Sequence, residues 1–195
     1  MISILYIIFI IFLLSVLIFS VLWSVSIFTS KFIYNPISKK YFPDIVQTLE
    51  LKDDSVLYML PAGDSRLFFS ILKENKNVKI FGIEKNFFSI IVSNFYIFLN
   101  SRKYFLKKEE RLNINNIEIL KKDIFDIDLS NATHICLYIY PNIMDDMLTF
   151  LDDNLKKGTK VVSINFQFTQ KRPTKEIELK KNKFQRINKI YVYEF

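Results

Sequence analysis

The stretch Val56-Leu57-Tyr58-Met59-Leu60-Pro61-Ala62-Gly63-Asp64-Ser65-Arg66 decides the fold of this chain. A short apolar run, long enough for one buried strand, passes directly into a turn of Pro, Gly, Asp and Ser, and a segment of helical length, 65–73, follows. Working outward, further apolar runs bounded by polar turns recur at 78–83, 117–120, 135–140 and 160–164. Segments of helical length, 87–103 and 142–154, separate several of them. A strand that returns through a helix becomes a parallel neighbour, so this alternation predicts a mostly parallel α/β sheet. The tail departs from the alternation. There 176–179 and 190–195 read as two strands joined by a basic turn around Lys180–Lys183, a final antiparallel hairpin on the sheet edge.

In an open parallel sheet the ligand crevice lies beyond the C-terminal strand ends, where strand order reverses, so the loop after the first strand is the place to look. Gly63 lies in that loop, Gly82 just before the end of the second strand and Gly158 in the turn entering the fifth; these are the only three glycines of the chain. Glu84 follows Gly63 by 21 residues and closes the second strand, the position from which a carboxylate accepts both hydroxyls of a ribose. Asp123 closes the third strand, where a carboxylate accepts from an adenine amino group. Each also has a purely structural reading. Glu84 suits the first turn of a helix, Asp123 suits an N-cap, and Gly63 suits a plain turn.

Charge divides the chain of 195 residues, with 27 Lys+Arg against 20 Asp+Glu and a formal net charge of +7. None of those charges precedes Lys31, and 2–29 is an uncharged stretch of 28 residues, whereas crossing a bilayer takes about 20. A cleaved signal would carry a basic start and a shorter apolar region, so despite the small residues Ser24-Val25-Ser26 the leader is expected to stay on the chain. Lys31, Lys39 and Lys40 follow the span, which places the body in the cytoplasm or an equivalent inner compartment. The connector 31–43 contains Pro36 and Pro43 and interrupts any continuous helix, leaving 44–195 as the body. One Cys excludes a disulfide framework and a multi-Cys zinc site, one His excludes His-rich metal chemistry, and no metal is expected. Twenty Phe and ten Tyr exclude general disorder.

With these residues in place the chain resembles the class I S-adenosylmethionine-dependent methyltransferases, and more narrowly the membrane-anchored lysine methyltransferases that include the ATP synthase c-subunit enzymes. The resemblance is carried by Met59-Leu60-Pro61-Ala62-Gly63-Asp64-Ser65-Arg66 against a family pattern Asp-Leu-Gly-Ser-Gly-Asp-Gly-Arg. It continues through Gly82-Ile83-Glu84, Tyr138-Ile139-Tyr140-Pro141 and Lys157-Gly158-Thr159-Lys160-Val161-Val162-Ser163. It implies a Rossmann-like, mostly parallel seven-stranded sheet with a C-terminal antiparallel hairpin, preceded by one transmembrane helix. It also implies S-adenosylmethionine as cofactor and a lysine of a membrane protein as substrate. Gly63, Asp64, Glu84, Asp123 and Ile124 are then the expected cofactor-binding residues. Tyr138, Tyr140 and Pro141 are the expected catalytic group, shaping a lysine channel whose aromatic faces meet the cation before it deprotonates; a core role for the two tyrosines is the structural alternative. Three positions depart from the pattern: Met59 stands where the family has an acid, and Pro61 and Ser65 where it has glycines. The alternative reading is therefore a non-catalytic module of the same fold, acting at the membrane, that has lost its cofactor.

Two further features bear on partners. The segment 86–100, NFFSIIVSNFYIFLN, is apolar around most of a helix; it reads as a buried crossover helix or as one with a face against a bilayer or membrane partner. Basic residues gather at Arg102, Lys103, Lys107, Lys108 and Arg111, and again at Lys171, Arg172, Lys175, Lys180, Lys181 and Lys183. On a tethered protein such charge suits a solvated face or anionic headgroups rather than nucleic acid, which is not an expected partner. His134 and Cys136 are assigned no chemistry.

Overall fold

The computed structural model describes residues 2–29, 36–106, 114–179 and 189–195. Lys31, Lys107, Lys108, Arg111 and the basic turn at 180–183 lie outside the described residues. The chain divides into two compact units, Met1–Asn35 and Pro36–Phe195.

The described residues of the first unit form one helix, α1 (Ile2–Thr29). Its stretch Ile4–Leu22, 19 residues with a mean hydropathy of 3.1, is long and apolar enough to cross a membrane. The large apolar side chains of that stretch are exposed on every side, as a helix with no buried stripe requires. Its polar groups are satisfied internally: Ser15 Oγ donates to the Phe12 carbonyl and Ser20 Oγ to the Leu17 carbonyl, both at 2.7 Å.

The second unit runs through α2 (Phe42–Leu49), β1 (Val56–Leu60), α3 (Arg66–Glu74), β2 (Lys79–Glu84), α4 (Phe87–Leu106) and β3 (Ile117–Lys121). It continues through β4 (His134–Leu137), α5 (Met144–Asn154), β5 (Lys160–Ile164), β6 (Lys175–Glu178) and β7 (Lys189–Glu194). The seven strands form one sheet in the order β3-β2-β1-β4-β5-β7-β6. Strands β3, β2, β1, β4 and β5 are parallel neighbours, and β7 runs antiparallel to both β5 and β6. This is the Rossmann-like sheet with the C-terminal hairpin that the alternation predicts.

Three local differences have physical reasons. Helix α2 starts at Phe42, inside the expected connector 31–43, and Pro43 stands in its first turn, where a missing N–H costs nothing. Residues 36–43 therefore contribute Tyr41 and Phe42 to the buried core. Strand β4 ends at Leu137, not Tyr140, because the chain is already leaving the sheet toward Pro141, which opens a single 3-10 turn (Pro141–Ile143) ahead of α5. Asp123 lies two residues beyond the end of β3, not at it.

The core cluster packs Tyr41, Ile45 and Leu49 with Phe68, Ile71 and Leu72 of α3 against the strand residues Leu57, Met59, Cys136 and Val162. Complete burial pushes the Cys136 thiol up to about 12, so it behaves as a small apolar residue.

Candidate functional site

Strand order reverses between β1 and β4, because the chain first builds outward to β3 and then returns to the other side of β1. At the switch point Leu60 of β1 pairs with Leu137 of β4, and on the far side of β1 Glu84 at the end of β2 pairs with Lys121 of β3. The Ala62 N–H still donates to the Ile83 carbonyl at 2.8 Å, so the loop after β1 leaves the sheet along the end of β2. Gly82 permits this. A Cβ at that position would lie 2.8 Å from the Ala62 Cβ, 2.8 Å from Ile119 Cδ1 and 2.9 Å from Phe68 Cζ.

Gly63 and Glu84 meet at the centre of this edge. Gly63 has φ +62, and a Cβ there would meet nothing within 4 Å, so its backbone borders open space. Glu84 is 5% exposed. Its carboxylate accepts the Asn86 N–H at 2.9 Å and also backbone N–H groups of Lys85 and Gly63. Burial raises the Glu84 carboxyl above its ordinary range, and those three donors offset part of the rise. A carboxylate has about four acceptor positions, so three backbone donors leave capacity for a hydroxyl. On the other side Ser93, fully buried on α4, donates its Oγ to the Gly63 carbonyl at 2.6 Å. Both polar groups of Gly63 are thus held, one by the end of β2 and one by α4.

Helix α4 is fixed at its start by Asn86, whose Oδ1 accepts the N–H groups of Phe88 and Ser89 at 2.9 and 3.1 Å. Helix α3 begins differently. Ser65 occupies the left-handed region at φ 59, makes no side-chain cap, and is 1% exposed with its Oγ unpartnered. An unpartnered buried hydroxyl beside a glycine that faces open space is the kind of atom a ligand satisfies.

The other expected residues are placed as follows. Asp64 turns to Arg66, accepting its Nε at 2.5 Å and its N–H at 3.2 Å, while Arg66 also donates to the Ile37 carbonyl at 3.1 Å. Asp123 accepts Lys85 Nζ at 2.8 Å and the Phe125 N–H at 3.2 Å. The hydrogen bond from Lys85 holds its carboxyl below the usual range. Ile124 is 2% exposed, an apolar wall next to that carboxylate. Tyr138, half-buried one residue past β4, donates its N–H to the Leu60 carbonyl at 3.1 Å. Burial, with a smaller contribution from Tyr140, pushes its phenol up to about 12, so it stays neutral. The Tyr140 ring lies 6.1 Å from that of Phe166, which follows β5. Pro141 is exposed at the start of the 3-10 turn.

The site therefore unites Gly63 with Glu84 directly and Asp123 with Lys85, while Asp64 is committed to Arg66. Met59, where an acid would stand in the resembled pattern, is 4% exposed inside the core cluster. Sequence reasoning missed Ser93, Lys85, Asn86 and Phe166. Asn86 carried a visible signal, an Asn immediately before an apolar helix; the other three carried none. Chemically, the arrangement offers a buried carboxylate, a glycine backbone facing open space and a neutral phenol at the end of β4, which fits the nucleoside half of a cofactor better than an amino-acid half.

No family model matches the chain. A protein-lysine N-methyltransferase of Saccharolobus islandicus (strain REY15A) is 24% identical over 159 residues, covering 82% of this chain and 92% of that protein. An RNA methyltransferase from Salinibacter ruber, solved in complex with S-adenosyl-L-homocysteine, is similar at a TM-score of 0.68 and 21% identity, over 82% of this chain and 93% of that one. A precorrin-6y C5,15-methyltransferase from Geobacter metallireducens follows at a TM-score of 0.55 and 15% identity, over 80% of this chain and 87% of that one. The body has the class I S-adenosylmethionine-dependent methyltransferase fold.

Proposed function

We propose that this chain is an S-adenosylmethionine-dependent methyltransferase that modifies a lysine of a membrane protein, held at the bilayer by α1 with its body on the inner side. The observation that carries the reading is Glu84, a buried carboxylate at the end of β2 that grips the Gly63 loop at the switch point. The lysine assignment is supported by the relative that shares 24% identity over 82% of the chain. The membrane-protein substrate is supported by the apolar span Ile4–Leu22, which keeps any partner of the body close to a bilayer.

Glu84 and Gly63 would hold the ribose, Asp123 and Ile124 the adenine, and Tyr138, Tyr140 and Pro141 would border the lysine. When bound, S-adenosylmethionine supplies an electrophilic methyl group on a sulfonium. The acceptor nitrogen must arrive neutral and in line, so the work left to the protein is orientation and exclusion of water. A phenol that remains un-ionised, as Tyr138 does, borders such a path without adding a charge that would hold the lysine as a cation. Asp64 contributes by fixing Arg66 at the start of α3, an indirect role.

Met59 in the core is the observation that favours the rival, a non-catalytic module that no longer binds cofactor. Calorimetric titration of the full chain in nanodiscs with S-adenosylmethionine separates the two. Saturable binding is expected; folded protein that takes up no heat supports the rival.

A further inference from the structure

Helix α4 carries a polar and an apolar side in an unusual sense. Ser93 is buried toward the Gly63 loop, and the side away from it exposes Phe87, Ile91, Phe95, Phe98 and Leu99 at 44% to 60% of their surface. At 3.6 residues per turn these five positions fall within an arc of about 120°. Such a stripe of large apolar side chains on one face of a stable domain marks a surface that is covered in use.

Charge around the stripe selects what covers it. Within α4 itself there is no Asp or Glu, whereas Arg102 and Lys103 both fall in it; Lys85, just ahead of the helix, is paired with Asp123. Across the neighbouring strand Lys121 places its Nζ 5.6 Å from the Phe87 ring centre. A helix with a large apolar stripe that carries cations and no acid has the composition of an interfacial helix on anionic lipid. Two copies meeting through this stripe would instead bring like-charged borders together.

We propose that the exposed face of α4 lies in the headgroup region of an anionic bilayer. The inference rests on the reading of α1 as a span, since a tethered domain meets the surface at high effective concentration. It also adds something to the proposed activity. The face that meets lipid is the back of the helix that holds the Gly63 carbonyl, so the loop opens about one helix diameter, ~10 Å, from the bilayer. That position suits a substrate lysine emerging just outside a membrane.

The test is site-directed spin labelling of the full chain in vesicles of phosphatidylcholine with and without phosphatidylserine. Labels are placed through Phe95→Cys, through Asp153→Cys on the exposed side of α5, and through Leu13→Cys within α1; the buried thiol of Cys136 does not react. Access to oxygen, which partitions into lipid, is compared with access to a water-soluble nickel chelate. At position 95 oxygen access is expected to exceed chelate access severalfold when phosphatidylserine is present and to fall without it, while position 153 shows the reverse preference. Chelate access at 95 equal to that at 153 overturns the proposal. So does protection from both probes, whether relieved by dilution with unlabelled chain, which identifies a second copy, or not relieved, which identifies a protein partner. Depth unchanged without phosphatidylserine overturns the anionic requirement. Position 13 separately reports the span: a water-exposed label there refutes the α1 reading, whatever position 95 does.

Discussion

Ser65 imposes two costs on the native state that a substitution series separates. The residue sits at φ 59 and ψ 5 at the start of α3, and its buried Oγ has no hydrogen-bond partner. A residue with a Cβ in the left-handed region costs about 1–2 kcal/mol, and a buried, unpaired hydroxyl about 1–3 kcal/mol. Ser65→Ala removes the hydroxyl and keeps the backbone cost. Ser65→Gly removes both, and gives back about 0.4–1 kcal/mol through the greater freedom of the unfolded chain. Ser65→Gly is therefore expected to stabilise the body by about 1–4 kcal/mol, with Ser65→Ala between it and the native chain. For a domain of this size each kcal/mol moves the midpoint by about 2–4 °C. Thermal unfolding of the full chain in micelles, followed by near-ultraviolet circular dichroism in the tyrosine region, where most tyrosines lie in the body, measures the difference. A glycine variant no more stable than the alanine variant would refute the backbone argument, and an alanine variant no more stable than the native chain would refute the hydroxyl argument.

Other substitutions test the rest of the edge. Glu84→Ala leaves backbone donors of Gly63, Lys85 and Asn86 without their acceptor, so urea unfolding should show a loss of about 1–3 kcal/mol and titration should show S-adenosylmethionine binding abolished. Gly82→Ala would set a Cβ 2.8 Å from the Ala62 Cβ, which belongs to a short side chain and cannot swing aside; a loss of about 1–3 kcal/mol is expected in the same assay. His134 is held neutral by burial, with Lys160 adding to the effect, and its ring is lowered from 6.5 to about 4. The unfolded chain then binds a proton that the folded chain refuses, so this contribution to stability is present above pH 6.5 and is lost as pH falls toward about 4. His134→Gln should flatten that limb of the stability profile, measured by urea unfolding across the range.

Legibility in the sequence follows how strongly each element depends on its own residues. The runs 56–60 and 160–164 coincide with β1 and β5, because a central strand buried on both faces reads as a mostly apolar run, broken in β5 only by Lys160 at its start and Ser163. Strand β4 is harder, since Tyr138-Ile139-Tyr140 continues the same composition after the hydrogen-bonded register has ended, and only Pro141 marks the departure. The start of helix α2 falls in the segment read as connector because the prolines at 36 and 43 are loop signals, yet a proline in the first turn starts a helix as readily as it ends one. Its packing against α3 and the sheet decides the matter, and packing is a long-range property that no local window contains.

The site divides along the same line, and the division explains how a departed motif can keep its shape. Glu84 and Gly63 are each visible as a residue at a strand end, but their mutual hydrogen bond depends on Gly82 letting the loop lie against β2. Ser93 is invisible because a serine within an apolar helix looks like any small residue until the loop it supports is placed. Met59, Pro61 and Ser65 suggest from sequence that the loop has changed its path. The structure argues otherwise at two of the turning points: Gly63 at φ 62 and Ser65 at φ 59 follow the left-handed course that glycines take most readily. A serine that bears that conformation without capping the helix or pairing its hydroxyl is held by its surroundings, by Gly63 fixed on both sides and by Asp64 locked to Arg66. The side chains differ from the resembled pattern, with an apolar core residue where that pattern has an acid. The backbone course faces open space at Gly63, so under the proposed function recognition at this loop would rest on peptide groups and on Glu84 beside them.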